Sequence, residues 1–218
     1  MKFKTKWIAA PVFALLVSGV AMAQDPASSG TSNTQTGTST TQGPTIKQRK
    51  ENQQDRIANG IQSGQLTAGE TSKLETKEAA VNGEIKADRA ANGGKLTPAE
   101  KAKVNRQQNR LSKQIYDDKH NPNTAHYGNN EVGQRRENQQ DRIAQGVKSG
   151  QLTAGETAKL ENREKGINQQ VKADRAANGG KLTPAEKAQV NREQNKESKK
   201  IYNKKHNGRT QAGAAPKK

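Results

Sequence analysis

The stretch that decides the fold is "SGQLTAGET", Ser63 to Thr71, which returns letter for letter from Ser149 to Thr157. A shorter relative, "GGKLTPAE", begins at Gly93 and again at Gly179. Thr67 followed three residues later by Glu70 is a capping box: the hydroxyl accepts from an early helical N–H and the carboxylate reaches back to the cap. Thr97 with Glu100, Thr153 with Glu156 and Thr183 with Glu186 repeat the arrangement. Pro98 and Pro184 stand at the first helical position, where a missing N–H costs nothing. Just upstream, Gly64, Gly93, Gly94 and their partners Gly150, Gly179 and Gly180 supply the left-handed residue that ends a helix. Stop and start signals therefore meet within a few residues, four times over. Each motif reads as a corner between two helices.

Around the corners lies a duplication. "ENQQDRIA" occurs at 51–58 and 137–144, and "KADRAANGGKLTPAEKA" at 86–102 and 172–188, both offset by 86 residues. Seventeen unbroken identities establish an internal repeat. The fold class that follows is all-α: two tandem units of about 86 residues, each of about three helices joined by Gly-x-Leu-Thr corners. In the first unit helices are predicted near 47–62, 67–91 and 97–119. Leu74, Val81 and Ile85 on the second, and Val104, Leu111 and Ile115 on the third, follow i, i+7, i+11 and share one helical face. Leu160, Ile167 and Val171 repeat the pattern. Leu111 corresponds to Glu197, so the last helix of the second unit is predicted to fray or to bind elsewhere.

The N-terminus reads differently. Lys2, Lys4 and Lys6 precede a short apolar stretch, and "AMA" before Gln24 has the small-x-small pattern of a cleavage site. Residues 1–23 are read as a secretory signal, and 24–45, rich in Ser, Thr and Gly, as a disordered, flexible tether. The remaining boundaries are unit 1 at 46–120, a linker at 121–131, unit 2 at 132–207 and a basic flexible tail at 208–218. No transmembrane segment is expected in the mature chain. Periplasmic or extracellular localisation follows, in an oxidising compartment where a chain with no cysteine forms no disulfide.

Composition then restricts the chemistry. Without the three leader lysines the formal charge of +17 becomes +14. Only 21 Ile, Leu and Val residues lie beyond position 23. Such a sparse apolar set with high net charge is common in disordered chains, so the fold is expected to lean on caps and a narrow packed seam. Ser112, Tyr116 and His120, and likewise Ser198, Tyr202 and His206, lie at i, i+4, i+8 on one helix face. Neighbours on one helix do not converge in a pocket, so no catalytic residues are assigned and no enzymatic activity is expected. Tyr116 and Tyr202 are read as covering the edge of the seam.

Between Lys187 and Lys218 ten basic residues face two acidic ones. Arg192, Lys196, Lys199, Lys200, Lys204, Lys205 and Arg209 are the candidate polyanion-binding residues, the partner being nucleic acid, lipopolysaccharide or acidic polysaccharide.

In a twelve-residue window ending at Glu70, Gly64 is sixth and Leu66 eighth, which resembles an EF-hand loop. The windows ending at Glu100, Glu156 and Glu186 match at the same places. The resemblance covers the loops and their flanking helices, and it implies Glu70, Glu100, Glu156 and Glu186 as ligands of an ion-responsive protein. The other ligand positions depart from it: Asn59, Ile61 and Ser63 in one window, Arg89, Ala91 and Gly93 in the next. One carboxylate does not replace a calcium hydration shell, so the loops are read as degenerate, without metal or cofactor. In EF-hand geometry Leu66 would pair with Leu96 and Leu152 with Leu182. The chain as a whole resembles uncharacterised secreted bacterial helical-repeat proteins built from "RIxxGxxSGxLTxxE" units, which implies a compartment and a helical repeat but no activity.

Overall fold

The computed structural model describes residues 43–211; the leader, most of the tether and the end of the tail fall outside them. Six helices follow in order: α1 (Ile46–Gln62), α2 (Ala68–Ala91), α3 (Pro98–Lys119), α4 (Glu131–Lys148), α5 (Ala154–Ala177) and α6 (Pro184–Lys205). The described residues contain no strand.

The corners form as their residues dictate. Gly64 takes φ +69° and its N–H reaches the Ile61 carbonyl at 3.1 Å, while Leu66 N–H reaches Gly60 at 2.9 Å. Thr67 Oγ1 then accepts from Glu70 N–H at 3.3 Å, and Glu70 Oε2 accepts from Thr67 N–H at 2.9 Å. All four predicted capping boxes are present, and a fifth, Thr45 with Gln48, opens α1. Each helix therefore begins and ends with its exposed backbone groups partly satisfied, at roughly 1 kcal/mol per cap.

The two repeats pack as pseudo-twofold mates. α1 lies on α4 and α2 on α5. A side chain built on Gly69 would meet Lys165, and one on Gly155 would meet Ala79, the position equivalent to 165. α2 and α5 therefore run antiparallel. Ser72 Oγ donates to the carbonyl of Ala158, its own equivalent, at 3.0 Å, which puts this contact on the pseudo-axis. α3 and α6 sit outside, each against the first two helices of its own contact group.

All 21 Ile, Leu and Val residues among the described residues are buried or half-buried, in three clusters. The central cluster pools both repeats: Ile57, Ile61, Leu66 and Leu74 with Ile143, Val147, Leu152 and Leu160, closed by Ile115 and Ile201. Two smaller clusters lie at the far ends, Val81, Ile85, Leu96 and Val104 in one, Val132, Ile167, Val171 and Val190 in the other. The expectation of a narrow seam within each unit is thus corrected: sharing one core between the repeats gives it depth.

Leu66 and Leu96 do not pair, and neither do Leu152 and Leu182. Both corners of a repeat bound the same helix, α2 or α5, whose 24 residues separate them by about 36 Å. EF-hand loop pairing is incompatible with that spacing.

Buried glutamines complete the packing. Gln53 Nε2 donates to the Gln108 carbonyl at 2.7 Å, and Gln108 Nε2 to the Ile46 carbonyl at 3.1 Å. Gln139 and Gln194 repeat the clasp at 2.7 and 2.9 Å. The predicted linker is not loose: Ala125 N–H binds the Gly64 carbonyl at 2.8 Å. Nor is the start of the tail, where Gln211 N–H binds Gly150 at 2.9 Å and its side chain is buried.

Candidate functional site

The outer face of α6 carries Arg192, Lys196 and Lys199 at i, i+4, i+7, all exposed. Among the described residues none of the three enters an ion pair. The other four candidates behave differently. Lys204 lies 3.6 Å from Glu156 and Lys205 donates to the Arg142 carbonyl at 3.2 Å, so both are drawn into packing. Burial, aided by Arg142, lowers the pKa of Lys205. Lys200 is half-buried near Glu197, and Arg209 is exposed on the strand of chain after α6. Lys217 and Lys218 lie outside the described residues. The equivalent stripe on α3, Arg106, Arg110 and Lys113, is partly neutralised by Asp117, 2.8 Å from Lys113. On α6 the positions of Asp117 and Asp118 hold Asn203 and Lys204. The acids at the end of the helix are gone, while Glu193 and Glu197 stand where α3 has Gln107 and Leu111.

The four corner glutamates are consumed by the corners. Glu70 Oε1 accepts from Asn121 at 2.7 Å and Asn123 at 3.2 Å while Oε2 serves Thr67. Burial raises its pKa, but these hydrogen bonds outweigh it and the net shift is downward. Glu156 holds Thr153 and Asn207 likewise, and Glu100 and Glu186 hold Thr97 with Asn92 and Thr183 with Asn178. No grouping of three or more His, Asp or Glu suited to a metal occurs among the described residues.

The Ser/Tyr/His residues do not form one unit. Arg56 donates to Ser112 Oγ at 2.7 Å, and Gln139 to Ser198 Oγ at 2.9 Å, so each serine is tied to the first helix of its repeat. Tyr116 stacks on His120, and Tyr202 on His206, with ring centroids 4.1 Å apart. Both tyrosines are 57% exposed rather than covering the seam, each stacked on the histidine one turn further along its helix.

The main feature the sequence reading missed is a set of buried carboxyls carried by α2 and α5. Glu75, Glu78, Glu161 and Glu164 are each no more than 1% exposed. Gln54 Nε2 donates to Glu75 at 3.1 Å, and Gln140 Nε2 to Glu161 at 3.0 Å. Burial pushes Glu75 and Glu164 up to about 8 and Glu78 to about 7, and it raises Glu161 well above the usual range. At neutral pH Glu75 and Glu164 are thus mostly protonated and Glu78 about half so. Lys50 favours the charged form of Glu78 and Arg136 that of Glu164, from equivalent positions.

Glu197, predicted to fray α6, joins this layer instead. It is 2% exposed, α6 has the same 22 residues as α3, and Arg163 approaches at 4.0 Å. Desolvation raises the Glu197 pKa while Arg163 opposes it. A carboxyl that can hold a proton replaces leucine without ending the helix. The signal for this layer was present in the repeat: Leu74, Glu75, Glu78, Val81 and Ile85 form one helical stripe once polar residues are admitted to it.

Among the described residues no helix is long and apolar enough to cross a membrane. Comparison with protein-family models, with curated proteins and with solved structures gave no match to this chain.

Proposed function

We propose that the chain is an exported, non-enzymatic helical-repeat binding protein that holds polyanions on the outer face of α6. Export rests on the charged start, short apolar stretch and small-residue site of residues 1–23. The observation that carries the binding reading is the stripe of Arg192, Lys196 and Lys199, exposed and without ion-pair partners among the described residues, on a helix where Asn203 and Lys204 replace the Asp117 and Asp118 of its duplicate. Spaced about one turn apart, three cations match the repeat of charge along a phosphate or uronate chain better than they match a compact anion. The near-absence of aromatics, with three tyrosines beyond residue 23, argues against stacked single-strand readout. Charge contact without base contact makes the binding tolerant of sequence and sensitive to salt.

The test is retention on heparin and affinity for double-stranded DNA across a salt series. The triple variant Arg192→Gln, Lys196→Gln, Lys199→Gln leaves Val190 and Ile201 in the core, which deletion of the helix would not. The expected result is a fall in the logarithmic salt slope by about 2–3, one per lost phosphate contact. An unchanged slope rejects this face as the site.

A further inference from the structure

Among the described residues Lys50 is the only lysine that is buried, at 6% exposure, and it enters no ion pair there. A lysine is rarely buried unless its charge is matched. Two contacts between α1 and α2 fix what it faces. One turn along α1, Gln54 Nε2 donates to Glu75 at 3.1 Å. One turn back, Ile46 packs against the cluster of Val81, Ile85, Leu96 and Val104. Lys50 lies between the two, so the stretch of α2 opposite it is 78–82. Glu78 and Asn82 stand there at i, i+4, on the side of α2 that Glu75 also occupies. Glu78 is 0% exposed and Asn82 half-buried.

Burial lowers the pKa of Lys50, with Glu78 opposing the shift and Arg89 adding to it. Burial raises Glu78 to about 7, against Lys50 and Asn82. Both shifts favour an uncharged amine and acid over an ion pair. A desolvated amine is a nucleophile and a buried carboxyl carries protons; the carboxamide beside them is an acyl group.

The second repeat is the internal control. It keeps the carboxyl and the carboxamide as Glu164 and Asn168, and it places Arg136 where Lys50 stands. A guanidinium does not give up its proton to become a nucleophile. Arg136 instead lies 5.5 Å from the Tyr127 ring centroid.

We propose that Lys50 and Asn82 join in an isopeptide bond, a covalent staple between α1 and α2, with Glu78 as the catalytic residue. Lys50 Nζ attacks Asn82 Cγ, and the carbonyl electron pair moves onto Oδ1. Glu78 carries one proton from the attacking nitrogen to Nδ2. The carbonyl re-forms, the Cγ–Nδ2 bond breaks and ammonia leaves. Glu78 ends as it began, and no oxidant or co-substrate is consumed. The product removes an unpaired amine from the interior and closes a loop without sulfur, in a chain that has no cysteine.

The test is the intact mass and tryptic peptide map of the purified full chain. The expected mass is one ammonia below that of the sequence. Trypsin no longer cuts after Lys50, and a branched peptide joins residue 50 to residue 82. Lys50→Arg, the residue the fold already holds at the equivalent place, restores the full mass, and Glu78→Gln, of the same shape, does the same. A parent chain of full mass overturns the proposal, and that measurement needs no variant to fold. An ammonia loss that persists in Lys50→Arg also overturns it, because Asn82 would then have closed on the Gly83 nitrogen as a cyclic imide. An undiminished loss in Glu78→Gln overturns the proposed catalysis.

Discussion

Gly60 is glycine because Leu66 occupies the space a side chain would need. A Cβ built there would stand 2.6 Å from Leu66 Cδ1 and 2.7 Å from its Cγ, and Leu66 is fully buried. Gly146 and Leu152 repeat the contact at 2.7 Å. Gly60→Ala must therefore push the corner leucine out of the central core, and a loss of about 1–3 kcal/mol is expected, read as a lower Tm in thermal unfolding. Gly83, on α2 with nothing within 4 Å of its would-be side chain, is the internal control. Gly83→Ala is expected to stabilise by about 0.5–1 kcal/mol through helix propensity alone. The sequence marks Gly64 as special because a positive φ has a turn signature; it does not mark Gly60, whose constraint is a contact six residues away.

At the scale of the element, helix ends were legible and helix faces only partly so. Caps are local chemistry, so Thr67, Thr97, Thr153 and Thr183 placed the starts of α2, α3, α5 and α6 to within a residue. The buried face of α2 was not legible from apolar residues alone, because Glu75 and Glu78 stand in positions where leucine is the usual occupant. What faces them is α1, whose Gln54 donates to Glu75 and whose Lys50 lies beside Glu78, and the sequence does not place that packing. The basic stripe on α6 was legible in outline, but which lysines fold inward depends on Glu156 and the Arg142 carbonyl, both distant in sequence.

The carboxyl layer gives a pH dependence of definite sign. Folding raises Glu75 from 4.5 to about 8 and Glu78 from 4.5 to about 7, by desolvation first; Glu164 also reaches about 8. The groups facing them are Gln54, Gln140, Lys50, Arg136, Tyr127 and, from α6, Glu197. The folded state thus binds more protons than the unfolded one. Stability from these groups is fully present below pH 4.5 and is lost as pH rises toward about 8. Thermal unfolding followed at pH 5 and pH 8 is expected to give the lower Tm at pH 8. Glu75→Gln, which keeps the shape and cannot ionise, is expected to stabilise by about 1–3 kcal/mol more at pH 8 than at pH 5. A Tm that climbs steadily between those pH values excludes a protonated layer.

For the whole molecule, the duplication was plain in the sequence, but its consequence for packing was not. The sequence showed two tandem units offset by 86 residues with a linker at 121–131, and not how they pack. They share one core because neither owns enough apolar surface: Ile57, Ile61 and Leu74 are covered by Ile143, Val147 and Leu160. Fragments 43–128 and 129–211, cut after Gly128, are expected to show little helix separately and to recover the helical spectrum when mixed in equal amounts. Full helicity in either fragment alone would show that a single unit suffices.

The Ser72–Ala158 contact on the pseudo-axis carries a historical implication. Before the coding segment doubled, an ancestor of one such unit had no second half in its own chain to cover it. It would have been an obligate homodimer, its two copies meeting face to face through an isologous patch. Fusion turned a concentration-dependent encounter into an intramolecular one, and it freed the halves to diverge. Gln211 against Ala125, and Lys204 against Asp118, are marks of that freedom: asymmetries that no pair of identical subunits could have carried.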